Sequence, residues 1–245
     1  MMAELVSVIV PTYREQDNIE PLLMRLAAVV PQVGGRLEIL VVDNDSEDGT
    51  VERARAVFSR IPVGRVIESG RQGGLAEAVF VGIQQARGEI VAVMDADLSH
   101  PPELLPALVE QVRAGAEIAV ASRYVRAGGI RDWPWSRRML SRVGTSLVRP
   151  LVPVSDATSG YFAARADVLR RLTHPPQGFK ILLEILVQLR LRRVREVPYL
   201  FTDRRAGVSK LGAKIVWLYG CQVIRLYGTR VIRRARALVR GAGEC

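Results

Sequence analysis

Short apolar runs that stop abruptly constrain this chain more than any other feature. Leu5 to Val10 ends at Pro11, Leu37 to Val42 at Asp43, and Ile90 to Met94 at Asp95. Each is rich in β-branched residues and too short for a buried helix, which suits strands covered on both faces. Val63 to Ile67 and Glu117 to Ala121 carry the same signal more briefly. Between these runs lie Glu15 to Val29, with Ile19, Leu22, Leu23 and Leu26 near helical spacing, then Asp48 to Ser59, Gly74 to Ala86 and Pro101 to Ala114. Strands alternating with helices at this spacing predict an α/β fold, a mostly parallel central sheet with helices on both faces. Ligands of such folds sit at the carboxyl ends of the strands.

After Ser122 the pattern changes. Gly128, Gly129 and Trp133-Pro134-Trp135 read as a loop, and Ser136 to Leu147 as an arginine-rich helix. Ser159 to Ala164 and Val194 to Phe201 read as strands around a helix from Lys180 to Arg190, and the chain is expected to be helical from Leu211 onward. The organisation expected is one catalytic domain over residues 1–210 and a basic helical tail over 211–245.

The net charge of +10 points to a polyanionic partner: nucleic acid, anionic lipid or a phosphate-rich small molecule. Only Lys180, Lys210 and Lys214 are lysine, so nearly all of the 35 basic residues are arginine, the side chain suited to bidentate phosphate contacts. The stretch from Arg204 to Arg240 holds many of them and no acid. Cys221 and Cys245 have no ligand-like spacing, which excludes a disulfide framework and a zinc site and makes the cytoplasm the default compartment. No secretory signal is legible, and no apolar run approaches the ~18 to 20 residues of a membrane span. If a membrane is involved, the chain lies against it.

The first strand exit, Pro11-Thr12-Tyr13-Arg14-Glu15, lacks the glycines of a dinucleotide-binding turn, and no P-loop occurs. A metal held by carboxylates is the remaining way to bind a phosphorylated ligand, and Mg²⁺ or Mn²⁺ commonly take one or two protein carboxylates plus phosphate oxygens and water. Asp95 and Asp97 at a strand end meet that need. Taken singly, aspartates there also serve as turn or capping residues, but a second acidic cluster, Asp43 to Thr50, follows another apolar strand. It is no EF-hand, because its glycine is one place late and position twelve is Ala54.

Three stretches in order, Pro11 to Asn18, Val42 to Thr50 and Met94 to Glu103, resemble the inverting family 2 glycosyltransferases with the A-type fold, most closely the dolichol-phosphate or polyprenol-phosphate mannosyltransferases. The similarity continues through Ser122-Arg123-Tyr124, Gly128-Gly129, Asp156 to Tyr161, Gly178-Phe179-Lys180 to Glu184, and Gly207 to Leu211. The resemblance implies that Pro11, Tyr13, Glu15, Asp43 and Asp45 line the nucleotide pocket. It implies that Asp95 and Asp97, with the backbone of Ala96, hold the donor and a divalent cation. Ser99 stands where some relatives carry a glutamine metal ligand, and Asn44 separates two aspartates that are usually consecutive.

Arg123, Arg137 and Ser141 match positions that grip the acceptor phosphate, and Arg137 and Ser141, four apart, share one face of a helix. Arg204 and Lys210 flank Gly207 and would place charge on the departing diphosphate. The activity implied is transfer of a sugar, mannose from GDP-mannose in the first instance, to a polyprenyl or dolichyl monophosphate with inversion. A UDP-sugar donor carrying glucose or GlcNAc is the alternative. The tail would meet a membrane surface or a small membrane partner, peripheral at the cytoplasmic face. Nucleic acid is set aside as a partner, because acidic strand ends would face its phosphates.

Overall fold

The computed structural model describes residues 4–70, 74–131, 133–202 and 217–230. Its strands and helices alternate in the order β1 (Val6–Thr12), α1 (Gln16–Ala28), β2 (Leu37–Asp43), α2 (Thr50–Arg60), β3 (Gly64–Glu68), α3 (Gly74–Gln85), β4 (Ile90–Val93), α4 (Leu105–Arg113) and β5 (Ile118–Ser122). Then come β6 (Gly129–Ile130), α5 (Trp135–Val148), β7 (Phe162–Arg165), α6 (Ala166–Leu169), α7 (Ile181–Leu189), β8 (Val194–Pro198) and β9 (Leu200–Phe201). Residues 217–230 form a further helix, α8. The run read as one strand from Val194 to Phe201 is split, because β8 pairs with β5 while β9 leaves to pair with β6.

The main sheet runs β3-β2-β1-β4-β7-β5-β8. All its pairings are parallel except those of β7, which lies antiparallel between β4 and β5. Side chains alternate across the sheet. Val6, Val8 and Val10 pack with Leu22, Leu23 and Leu26 of α1 and with α2 and α4 on one face. Ile9, Leu40 and Val42 pack with Val79 and Ile83 of α3 and with α7 on the other. Period-two burial on strands covered on both sides is the physical content of the apolar runs.

Part of the predicted tail belongs to this body. Helix α8 buries Gln222, Val223 and Leu226, while Trp217, Cys221 and Ile224 on its opposite side are exposed. Each buried apolar side chain of this size contributes about 1.5–3 kcal/mol. The hydroxyls of Tyr219 and Tyr227 donate to the carbonyls of Gly144 and Leu147 at 2.8 and 2.7 Å, which ties α8 to α5. No helix among the described residues is long and apolar enough to cross a membrane.

Candidate active site

The carboxyl ends of β1, β2 and β4 face one edge of the sheet, as parallel pairing requires, and the chain leaves that edge under strain. Arg14, Asp45 and Leu98, one at each exit, have positive φ values of 59°, 63° and 61°. Non-glycine residues adopt this region at a cost, and such strain concentrates where a loop must present a group. At Leu98 the purpose is visible: the turn brings Ser99 back so that its amide and hydroxyl donate to Asp97 Oδ1 at 3.0 and 2.6 Å. Asp97 is thereby oriented in a nearly buried position.

Asp95 is more open, its side chain 36% exposed, and is set from two sides. His100 Nε2 lies 3.3 Å from its Oδ2, and the imidazole is enclosed by Tyr161, Tyr199 and Phe201. Gly160 lies on the other side, where a Cβ would fall 2.5 Å from Asp95 Oδ2. The register explains that approach: antiparallel β7 begins at Phe162 opposite Val93, so the residues before β7 run beside those after β4.

Two cavities meet at this pair of carboxylates. One, about 320 Å³, is lined by Pro11, Tyr13, Glu15, Asn44, Asp95, Ala96 and Asp97. The other, about 520 Å³, is lined by Asp95, Asp97, Ser99, Arg123, Arg137 and Ser141 and continues along Leu140, Val143 and Leu147 of α5. Both share Asp95, Asp97, Gly160, Phe179 and Lys180. A third cavity, about 520 Å³, lies apart from them at the ends of α5, α7 and α8, lined by Arg149, Arg190, Arg192 and Arg230 over an apolar floor.

The predicted residues divide accordingly. Pro11, Tyr13, Glu15, Asp95 and Ala96 line the smaller cavity. Asp43 is fully buried beneath its wall, where it accepts from Thr12 Oγ1 at 2.7 Å and from the amide and hydroxyl of Ser46 at 2.7 and 2.8 Å. Its neighbour Asn44 takes the place in the wall, and Asp45 holds the strained turn beside it.

Arg123, Arg137 and Ser141 come together in the larger cavity, with different commitments. Arg123 is a buried bidentate partner of Asp156, with Nε and an Nη each 2.8 Å from a carboxylate oxygen, and its amide donates to the same aspartate. Burial by itself would raise the Asp156 carboxyl and lower the Arg123 guanidinium. The hydrogen bonds and opposite charge outweigh it in both, so Asp156 titrates below its ordinary range and Arg123 above its own. Arg137 stacks on Trp133, its Cζ 3.9 Å from the ring centroid. Ser141 Oγ accepts from the Tyr124 hydroxyl at 2.6 Å. Arg204 and Lys210 lie outside the described residues.

Sequence reasoning assigned no role to His100, Gly160, Trp133, Asp156 or Lys180. The signal available was the motifs that contain Asp156, Gly160 and Lys180, since these residues reach the site from distant parts of the chain.

Comparison with known proteins fits this arrangement. Residues 7–173 match the model of glycosyl transferase family 2. The chain belongs to that family. It is 42% identical over 218 residues to the dolichol-phosphate mannosyltransferase of Pyrococcus furiosus, covering 87% of this chain and 61% of that one. It thus spans less than two thirds of the archaeal protein's length. It is 39% identical to the dolichol-phosphate mannosyltransferase of Saccharomyces cerevisiae, covering 87% of this chain and 83% of that protein. With the polyprenol monophosphomannose synthase of Mycolicibacterium smegmatis the identity is 38%, covering 83% and 80%. The fold of this family 2 glycosyltransferase also matches glucosyl-3-phosphoglycerate synthase from Mycobacterium tuberculosis, solved in complex with Mn²⁺, UDP-glucose and phosphoglyceric acid. The TM-score is 0.68 at 23% identity, over 92% of this chain and 80% of that one. That likeness establishes the A-type fold.

Proposed function

We propose that this protein transfers a mannosyl residue from GDP-mannose to the phosphate of a polyprenyl or dolichyl monophosphate, inverting the anomeric carbon. The observation that carries the reading is the pair of cavities sharing Asp95 and Asp97. One has the polar wall a nucleotide sugar needs; the other joins Arg137 and Ser141 to an apolar track on α5. A phosphate with a long apolar chain has that same pattern. The names of the curated relatives support the mannosyl group and the polyprenyl or dolichyl phosphate acceptor.

In the smaller cavity Tyr13, Glu15 and Ala96 would bind the nucleotide, and Asp95 and Asp97 would hold Mg²⁺ or Mn²⁺. The donor set fits a hard cation: two carboxylates with one residue between them, and Asp97 oriented by Ser99. Among the described residues no three acids, histidines or cysteines are grouped to hold a metal ion by themselves, so diphosphate oxygens and water would supply the remaining ligands. When bound, the cation supplies charge that stabilises the departing diphosphate. Arg204 and Lys210 would add to that charge.

In the larger cavity Arg137 and Ser141 would orient the acceptor phosphate, with the Arg123–Asp156 pair as a rigid floor. The phosphate's second pKa is near ~6, so at neutral pH it is already anionic and needs no general base. One of its oxygens attacks the anomeric carbon. The bond from that carbon to the diphosphate oxygen breaks on the opposite face, and the leaving nucleoside diphosphate takes the electron pair. The chain's contribution is alignment and charge. Trp135, Met139, Val143 and Leu147 on α5 and Trp217 and Ile224 on α8 are exposed apolar side chains suited to a membrane surface, where the acceptor lipid resides.

The test is a donor and acceptor matrix with added Mn²⁺: GDP-mannose, UDP-glucose and UDP-GlcNAc against polyprenyl phosphate and a short soluble phosphate monoester. Transfer is expected from GDP-mannose to polyprenyl phosphate, with a β-linked product. A UDP-sugar used in preference would overturn the donor, and equal use of the soluble monoester would overturn the lipid acceptor.

A further inference from the structure

The stretch from Gly178 to Glu184 has no part in the reading above, yet it carries a fully buried carboxylate. Glu184 lies in the first turn of α7 with no side-chain exposure, and two of its donors belong to α8. Gln222 Nε2 donates to Oε1 at 2.9 Å, and the Arg225 guanidinium forms a close ion pair with the same oxygen. Both side chains also reach the loop that precedes α7. Gln222 Nε2 lies 3.3 Å from the Lys180 carbonyl, and Arg225 donates to the side chain and carbonyl of Gln177 at 3.2 and 3.4 Å.

The loop backbone runs directly against this amide, since a Cβ at Gly178 would fall 2.3 Å from Gln222 Nε2. One helical turn earlier, the Tyr219 ring meets Phe179 edge-on at 6.2 Å. Residues 219, 222 and 225, spaced by three on one face of α8, therefore hold Gln177, Phe179 and Lys180 of this loop. That loop is a wall of both cavities, since Phe179 and Lys180 line each of them.

Docking α8 did not require charge. A buried ion pair is costly to desolvate, and an apolar pair of similar volume would hold two helices together at least as well. What the polar set adds is a fixed register and a fixed loop backbone. We infer that Gln222 and Arg225, acting through Glu184 and the carbonyls of Gln177 and Lys180, are positioning residues that place Phe179 and Lys180 at the junction where donor and acceptor meet. The inference rests on the transfer reaction proposed above.

Full-length wild type, Gln222→Ala and Arg225→Lys separate the two ideas, with steady-state transfer, melting temperature and hydrogen exchange over residues 177–182 measured on each. Gln222→Ala is expected to lower kcat about tenfold with KM for both substrates within about twofold, as loss of alignment does. Amide exchange at 178–181 is expected to accelerate while the rest of the sheet stays protected. Arg225→Lys, which keeps the charge without the fork, should fall between the two. A Gln222→Ala protein with kcat within twofold of wild type overturns the inference, as does a kcat loss accompanied by unchanged loop exchange. If Gln222→Ala fails to fold, the same criteria apply to Arg225→Lys. A wild type that transfers no sugar defeats the reaction reading instead, and the loop exchange then decides the positioning role by itself.

Discussion

Asp97 and Arg137 face the same junction, but the chain holds them by different means. Asp97 stands four residues past β4 and is oriented by Ser99, two residues further on, so a single strained turn at Leu98 suffices. Arg137 stacks on Trp133, and the helix that carries it is fixed from outside by Tyr219 and Tyr227, some eighty residues later. The edge proposed for the donor is thus local and stiff, built on the sheet. The wall proposed for the acceptor is a half-exposed helix whose place depends on a second helix, with apolar side chains left open along both. A soluble nucleotide sugar suits the first kind of site, and a lipid that arrives from a membrane suits the second.

Three experiments would break or sharpen that contrast. Asp97→Ala is expected to have the largest effect, a loss of transfer on the order of a thousandfold in a metal-supplemented assay, because charge stabilisation of a leaving group is lost outright. Normal activity in that variant would remove Asp97 from the site. Arg137→Ala is expected to act on one side only. Losing charge-assisted hydrogen bonds worth about 1.5–3 kcal/mol raises the acceptor KM roughly tenfold to a hundredfold and leaves donor affinity, read by nucleotide titration, unchanged. A comparable loss of donor affinity would mean that the two halves are not separable.

The smallest effect is on stability against pH. Burial, with the nearby Asp156 charge, pushes the Tyr219 hydroxyl up to about 12. A phenol raised above its unfolded value near ~10 stabilises the fold fully below that pH and loses the contribution as pH climbs through the folded value. Tyr219→Phe should therefore melt slightly lower at neutral pH, by about 1 kcal/mol for the bond to Gly144, and lose less than wild type between pH ~10 and ~12. At the acid end Asp156 works the other way. Held below its ordinary range by Arg123, it contributes stability above its unfolded value of ~4 and gives it up as pH falls further. Melting curves across pH would show the acid arm unchanged in Tyr219→Phe and the alkaline arm altered.

Much of the fold and half of the site were legible in the residues. The apolar runs marked β1, β2 and β4, the helical spacing marked the layers, and Asp95 and Asp97 directly after β4 marked the edge at which to look. The spacing of Arg137 and Ser141 put them on one helical face. These are local patterns, and a periodicity of two or 3.6 states which side of an element is buried. It does not state against what. A strand was read near Ser159 to Ala164, but its antiparallel insertion between β4 and β5, which brings Gly160 against Asp95, is a pairing across some seventy residues. Likewise Arg123 meets Asp156, 33 residues away, and Glu184 meets Gln222, 38 residues away, through the tertiary fold. The sequence by itself determined which carboxylates reach the sheet edge, because strand and turn propensities act over a few residues. Only the tertiary structure decided which distant groups surround them, because burial forces polar side chains to find partners wherever the fold supplies them.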